Sequence, residues 1–134
     1  MRYTLRKNEI LHGRKSFSRV FSTGNKLAEQ AILCFYQIEN SNTETNRAVV
    51  GFAASKKIGK AVVRNRIKRL MREGYRLNKH ILLDTPVSNQ FLASIVLMYG
   101  KNNSVQIKNV SSEIVKQEIE HLLQKLRAII LSKD

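Results

Sequence analysis

The residues best placed to do chemistry are cations on one short stretch. Residues 56–80 hold ten Lys and Arg and a single acid, Glu73. Within it, Lys60, Arg64, Asn65, Arg66, Lys68, Arg69, Arg72 and Arg76 fall at helical spacing. At ~100° per residue, Arg64, Asn65, Lys68, Arg69, Arg72 and Arg76 share one face. Val63, Ile67, Leu70, Met71 and Gly74 fall opposite, and Arg66 sits on the flank. Arg64/Lys68, Lys68/Arg72 and Arg72/Arg76 are like-charged i,i+4 pairs, each destabilising by a few tenths of a kcal/mol. Stability alone does not select that arrangement; a polyanionic partner repays it. Arginine predominates, which suits bidentate phosphate binding and stacking on bases. The face carries no large apolar or aromatic anchor of the kind a membrane-surface helix uses.

Aromatic residues add a second chemistry. Phe17 and Phe21 lie one helical turn apart, and Phe35 alternates with Leu33 and Gln37 on one face of a strand. Aromatic rings beside cations grip single-stranded nucleic acid, at about 1–3 kcal/mol per stacked base. The same phenylalanines would equally serve as the core-facing stripe of a short helix, and residue types alone leave both readings open. Catalytic groups of the protein's own are not expected. His12, His80 and His121 are far apart without metal-ligand spacing, Asp84 and Asp134 are isolated, and no glycine-rich phosphate loop is present. His80 suits the cation at the end of the basic helix. Cys34, the only cysteine, sits in an apolar run and reads as a buried small hydrophobe.

The elements that must position these groups follow from composition and pattern. The chain has 134 residues, a formal net charge of +14 and 43% hydrophobic residues, so it buries a core in spite of its charge. A single domain spanning 1–134 is expected. Of the excess charge, +9 lies in residues 56–80 and +5 in residues 1–30, with the remainder balanced. That localisation marks an electrostatic footprint. No apolar run approaches a membrane span and the N-terminus lacks a signal-peptide core, so a cytoplasmic protein is expected.

Periodicity predicts helices over 15–23, 60–79 and 112–131 and strands over 31–38, 48–54 and 92–99. The polar stretch Glu39–Asn46 reads as a hairpin connection between the first two strands. Pro86 marks a loop before the third, buried strand, which stops at Gly100. Ser111 or Ser112 caps the last helix, with Glu113 in its first turn. Its stripe is Val115, Ile119, Leu122, Leu123, Leu126, Ile129 and Ile130. Tyr36 points to the core, opposite Phe35. Gly74, mid-helix at a cost of about 1 kcal/mol against Ala, suggests a close approach. The expected fold is α+β, a single-domain α/β sandwich with a small sheet and element order α-β-β-α-β-α.

The run Ser55-Lys56-Lys57-Ile58-Gly59-Lys60-Ala61-Val62-Val63-Arg64-Asn65-Arg66-Ile67-Lys68-Arg69-Leu70-Met71-Arg72-Glu73 resembles the signature of the bacterial ribonuclease P protein subunit. That family carries a strand ending in Ser-Lys-Lys, a Gly-x-Ala-Val turn and an Arg-Asn-Arg helix. The segment from Leu5-Arg6-Lys7 to Gly24, with Phe17, Val20 and Phe21, and the order of elements are similar too. The resemblance implies a protein without a catalytic centre, bound to a catalytic RNA that removes the 5′ leader of precursor tRNA. Mg2+, held mainly by the RNA, would be the cofactor. It implies that Lys60, Arg64, Asn65, Arg66, Lys68, Arg69 and Arg72 dock on that RNA. Phe17, Phe21, Phe35, Lys56 and Lys57 would hold the single-stranded leader in a cleft. The partners implied are the catalytic RNA and precursor tRNA, with no membrane and no obligate protein partner. Tyr99-Gly100-Lys101 departs from the family's frequent Ala-Arg-Lys and leaves only Lys101 for a basic contact there.

Two other classes fit the charge alone. One is a ribosomal or general RNA-binding protein. The other is a helix-turn-helix DNA reader, which is disfavoured because a strand, not a short helix, precedes the basic helix. A stand-alone nuclease ranks last, for want of acids.

Overall fold

The computed structural model describes residues 4–100 and 110–133. The chain runs α1 (Arg14–Ser22), β1 (Lys26–Ala28), β2 (Ile32–Asn40), β3 (Arg47–Ala54), α2 (Ala61–Asn78), α3 (His80–Leu83), β4 (Phe91–Tyr99) and α4 (Ser112–Lys133). Short 3-10 turns at Lys7–Glu9 and Lys56–Ile58 precede α1 and α2. The expected α+β sandwich is found. The element order gains two short pieces, β1 and α3, and the basic helix ends at Asn78 before α3 begins.

The four strands are ordered β1-β2-β4-β3. The expected hairpin between β2 and β3 does not form: β4 lies between them, antiparallel to β2 and parallel to β3. The physical reason lies in β4. It is apolar along most of its length, and Ala93, Ile95, Val96 and Leu97 are all fully buried, the pattern of a strand covered on both faces and paired on both edges. Helix α2 supplies the long crossover that parallel neighbours require. Residues 41–46 therefore arch over the start of β4 instead of turning a hairpin. The Ser41 amide donates to the Gln90 carbonyl (2.9 Å), and the Phe91 amide donates to Asn46 Oδ1 (3.3 Å). The Asn46 amide nitrogen closes the arch on the Leu83 and Thr85 carbonyls.

Strand alternation assigns two faces. Ile32, Cys34 and Tyr36 are buried toward α2 and α4, whereas Leu33, Phe35 and Gln37 face α1. Ile67, Met71 and Tyr75 of α2 pack against Val115, Ile119, Leu122, Leu123, Leu126 and Ile130 of α4 in one core. The expected stripe of α4 is thus inward, with Ile129 half-buried. Ser111 is the cap, its Oγ accepting from the Ile114 amide (3.2 Å). Gly74 is the close approach its position suggested: a Cβ there would stand 3.2 Å from Lys116 Cα and 3.0 Å from Ile119 Cδ1. Glu118 interrupts the α4 stripe yet is buried, and its Oε1 accepts the amides of Ala31 (2.9 Å) and Ile32 (3.1 Å). One carboxylate thereby pins α4 to the start of β2.

Candidate nucleic-acid interface

Helix α2 begins after Lys60, whose carbonyl accepts the Val63 and Arg64 amides. Its buried side is Ile67, Met71, Gly74, Tyr75 and Asn78. Lys60, Asn65, Arg66, Arg69 and Arg72 are exposed, and Arg64 and Lys68 half-exposed, so the expected cationic face is turned outward. Arg76 is spent locally on Glu73 (2.7 Å), whose carboxyl the Arg76 hydrogen bond holds below the usual range. Arg66 reaches the Val110 carbonyl (3.3 Å), away from the rest. None of Arg64, Arg66, Lys68, Arg69 and Arg72 forms an ion pair with a described carboxylate.

A cleft of ≈ 430 Å³ opens where this face meets the outer edge of β3. Asn65, Lys68, Arg69 and Arg72 form one wall, Phe17 and the Ile10–Leu11 segment the other, and Gly51 and Phe52 the floor. Ile10 bridges to Val50, and the Leu11 amide donates to the Val50 carbonyl (2.9 Å), which lays the segment along the strand edge. Helix α1 then places Phe17 across Gly51. A Cβ on Gly51 would come within 2.4 Å of Phe17 Cζ, so the ring lies on bare backbone. Phe52 meets Tyr75 edge-on (centroids 6.2 Å, 68°), and the Arg72 guanidinium stands 6.0 Å from the Phe52 centroid. An aromatic floor beside unpaired guanidinium groups matches the chemistry of single-stranded nucleic acid, with bases on rings and phosphates on cations.

Phe17 is the one expected leader residue that lines this cleft; Phe21, Phe35, Lys56 and Lys57 lie outside its lining. Phe21 and Phe35 meet edge-to-face (4.8 Å, 79°) under α1, with Lys26 of β1 directly opposite Phe35. Both rings are half-buried, as is Phe17, while Val20 is the residue α1 commits to the core. Lys56 and Lys57 are exposed on the turn after β3. Lys101 lies outside the described residues. Sequence reasoning missed Gly51, Phe52 and the Ile10–Leu11 segment. A lone glycine inside an apolar strand was the available signal, since such glycines mark close approach.

Among the described residues no three His, Cys, Asp or Glu side chains come together as a metal site. His121 instead meets Glu29 (3.1 Å). Burial pushes the Cys34 thiol up to about 12, so it stays protonated and unreactive. No helix among the described residues is long and apolar enough to cross a membrane.

Comparison with known proteins identifies the family and the fold. Residues 5–127 match the sequence profile of the family described as Ribonuclease P. The chain is 31% identical over 117 residues to the ribonuclease P protein component of Porphyromonas gingivalis, covering 87% of this chain and 85% of that one. It is 35% identical over 133 residues to that of Chlorobium phaeobacteroides, covering 92% and 88%. The structure is similar to that of the RNase P protein from Thermotoga maritima, with TM-score 0.66, 26% identity and coverage of 87% and 96%. It shares its fold with the RNase P protein of Staphylococcus aureus, with TM-score 0.64, 23% identity and coverage of 88% and 94%. The chain belongs to the ribonuclease P protein-component family.

Proposed function

We propose that this chain is the protein subunit of ribonuclease P, binding a catalytic RNA and the 5′ leader of precursor tRNA. The observation that carries the reading is the cleft between α1, the β3 edge and α2, aromatic on its floor and walled by unpaired cations. The outer part of α2, with Lys60, Arg64 and Arg66, docks on the catalytic RNA. Phe17 takes the leader, and Asn65, Lys68, Arg69 and Arg72, which the resemblance assigns to the catalytic RNA, face Phe17 across the cleft and are reassigned here to the leader. Phe21 and Phe35, expected against the leader, pack on each other and in this reading support α1 from the sheet, and Lys56 and Lys57 add phosphate contacts beyond the end of β3.

The protein's part in cleavage is binding. It neutralises phosphate charge where two RNAs must approach each other, and it fixes the leader so that the scissile bond is presented to the RNA. The described side chains offer no cluster for Mg2+. In this reading the ion is held by the RNA, and no step runs through the protein. Each phosphate neutralised releases about 0.7–0.9 counterions. Lys60, Arg64 and Arg66 together therefore give a salt slope of roughly two to three for docking.

Reconstitution tests the reading. The protein with Mg2+ alone leaves precursor tRNA intact, and addition of the family's catalytic RNA yields 5′-matured tRNA at physiological salt. Arg64→Ala with Arg66→Ala weakens binding to the catalytic RNA and reduces the log–log salt slope by one to two. A reconstituted mixture that does not cleave, while the protein binds unrelated RNAs equally well, favours a general RNA-binding protein.

A further inference from the structure

A second hollow, ≈ 620 Å³, lies further along the same side of the molecule. It is framed by the N-terminal segment, the start of β3 and the end of α2, including Arg6, Glu9, Arg47, Lys79 and Asp84. Lys79 is only 5% exposed. Its ammonium donates to the Thr4 carbonyl and to Glu9 Oε2 (2.8 Å), which fastens the N-terminal segment to α2 and neutralises Glu9 inside the hollow. The Arg6 amide donates to Glu9 Oε1 (3.3 Å), so Arg6 is presented from a tied turn. Arg47 projects from the first residue of β3. Both are exposed, and neither is in an ion pair with a described carboxylate. Asp84 is the one described acid on the rim without an ion-pair partner.

The two hollows share their walls. The segment that lines this one continues through Ile10–Leu11 into the first cleft, β3 runs from Arg47 here to Phe52 there, and α2 runs from Arg72 there to its C-cap, Lys79, here. By helix rise Arg72 and Lys79 are ~10 Å apart, and by strand rise Arg47 and Phe52 are ~16 Å apart. At the ~3.4 Å per nucleotide of one strand of a duplex, that interval is at most about three to five nucleotides, fewer for an extended strand.

We propose that the second hollow is a phosphate subsite for the same single RNA strand, with Arg6 and Arg47 gripping a backbone phosphate at most about three to five nucleotides beyond the Phe17–Arg72 cleft. The inference rests on the cleft holding single-stranded RNA, and the test separates the two. The full chain is titrated with fluorescent single-stranded oligoribonucleotides of about 4–12 nucleotides, a range set by that interval. The proteins compared are wild type, Arg6→Ala/Arg47→Ala, Arg6→Lys/Arg47→Lys and Phe17→Ala/Arg72→Ala. Wild type gains affinity with length in two stages. The arginine-to-alanine pair loses the second stage, about fivefold or more on the longest strands, with a salt slope lower by roughly 0.7 per phosphate lost; it binds the shortest strands normally. The lysine pair recovers part of the loss. Equal binding by the alanine pair and wild type at every length overturns the proposal, as does an equal loss at every length. If only the cleft variant is impaired, the cleft stands and the subsite fails. If only the arginine variant is impaired, the cleft reading fails, and with it the proposal that both hollows hold one strand.

Discussion

Gly51→Ala tests the architecture of the cleft from beneath. The added Cβ would stand 2.4 Å from Phe17 Cζ and 2.8 Å from Cε2, against an ordinary carbon–carbon separation of about 3.5–4.0 Å. The ring must retreat by more than ~1 Å. Its own helix resists: Val20 is buried, and the Thr23 hydroxyl is held on the Val20 (2.8 Å) and Tyr36 (3.1 Å) carbonyls. Overpacking costs about 1–3 kcal/mol, and replacing a strand glycine returns about 0.5–1 kcal/mol. The expected net loss is on the order of 1–2 kcal/mol, or roughly 3–8 °C in Tm for a domain of this size. The displaced ring also leaves its place in the cleft wall, so discrimination of leader-bearing precursor from mature tRNA falls about fivefold or more, within one stacked base. Unfolding and precursor affinity are measured for Gly51→Ala, Phe17→Ala and the double variant. In the Phe17→Ala background the Gly51→Ala penalty disappears, because nothing remains to collide with. A penalty of the same size in both backgrounds refutes the contact.

Other expectations follow from contacts elsewhere. Glu118→Ala strands the buried Ala31 and Ile32 amides, at about 1–3 kcal/mol each; Glu118→Gln, which keeps an acceptor oxygen, is milder, and urea unfolding of the two variants checks the difference. Gly74→Ala gains about 1 kcal/mol of helix propensity but drives α2 off Lys116 Cα and the Ile119 side chain. A lower Tm is expected, because the backbone of α4 must yield. Burial pushes the Glu29 carboxyl up, but hydrogen bonds from Lys125 and His121 outweigh it and hold it below the usual range. Its stabilising contribution is therefore present above about pH 5 and is lost as pH falls through the lowered value. The gain is small, below about 1 kcal/mol, because both partners are nearly half-exposed. Glu29→Gln should flatten the fall in Tm between neutral and acid pH, and an unchanged profile counts against that pair. At low ionic strength, sulfate should raise Tm by relieving the repulsion of a +14 chain, which thermal melts in sulfate and chloride compare directly.

What could be read from residue order was what periodicity encodes. The α2 faces separated correctly because inward Ile67 and Met71 and outward Asn65, Arg69 and Arg72 obey a 3.6-residue repeat. The opposite directions of Phe35 and Tyr36 followed from alternation in the same way. Strand pairing is not periodic information. The polar arch at 41–46 has the composition of a hairpin, and only the competition for the central place, won by the uniformly apolar β4, decides otherwise. Lys26–Ala28 is too short to show a pattern and is a strand because β2 offers it an edge. Glu118 violated its stripe because its partners are backbone amides, which have no side-chain signature. The cleft floor escaped for a related reason: Gly51 and Phe52 acquire their role from α1 and Arg72 arriving from distant parts of the chain.

The most direct test of the central claim is the ratio of affinities for precursor and mature tRNA, measured in the complex reconstituted with the catalytic RNA, for wild type and Phe17→Ala. For Phe17→Ala the ratio falls about fivefold or more, within the worth of one stacked base, while affinity for the catalytic RNA is unchanged. A wild-type ratio fully retained by a folded Phe17→Ala variant contradicts it.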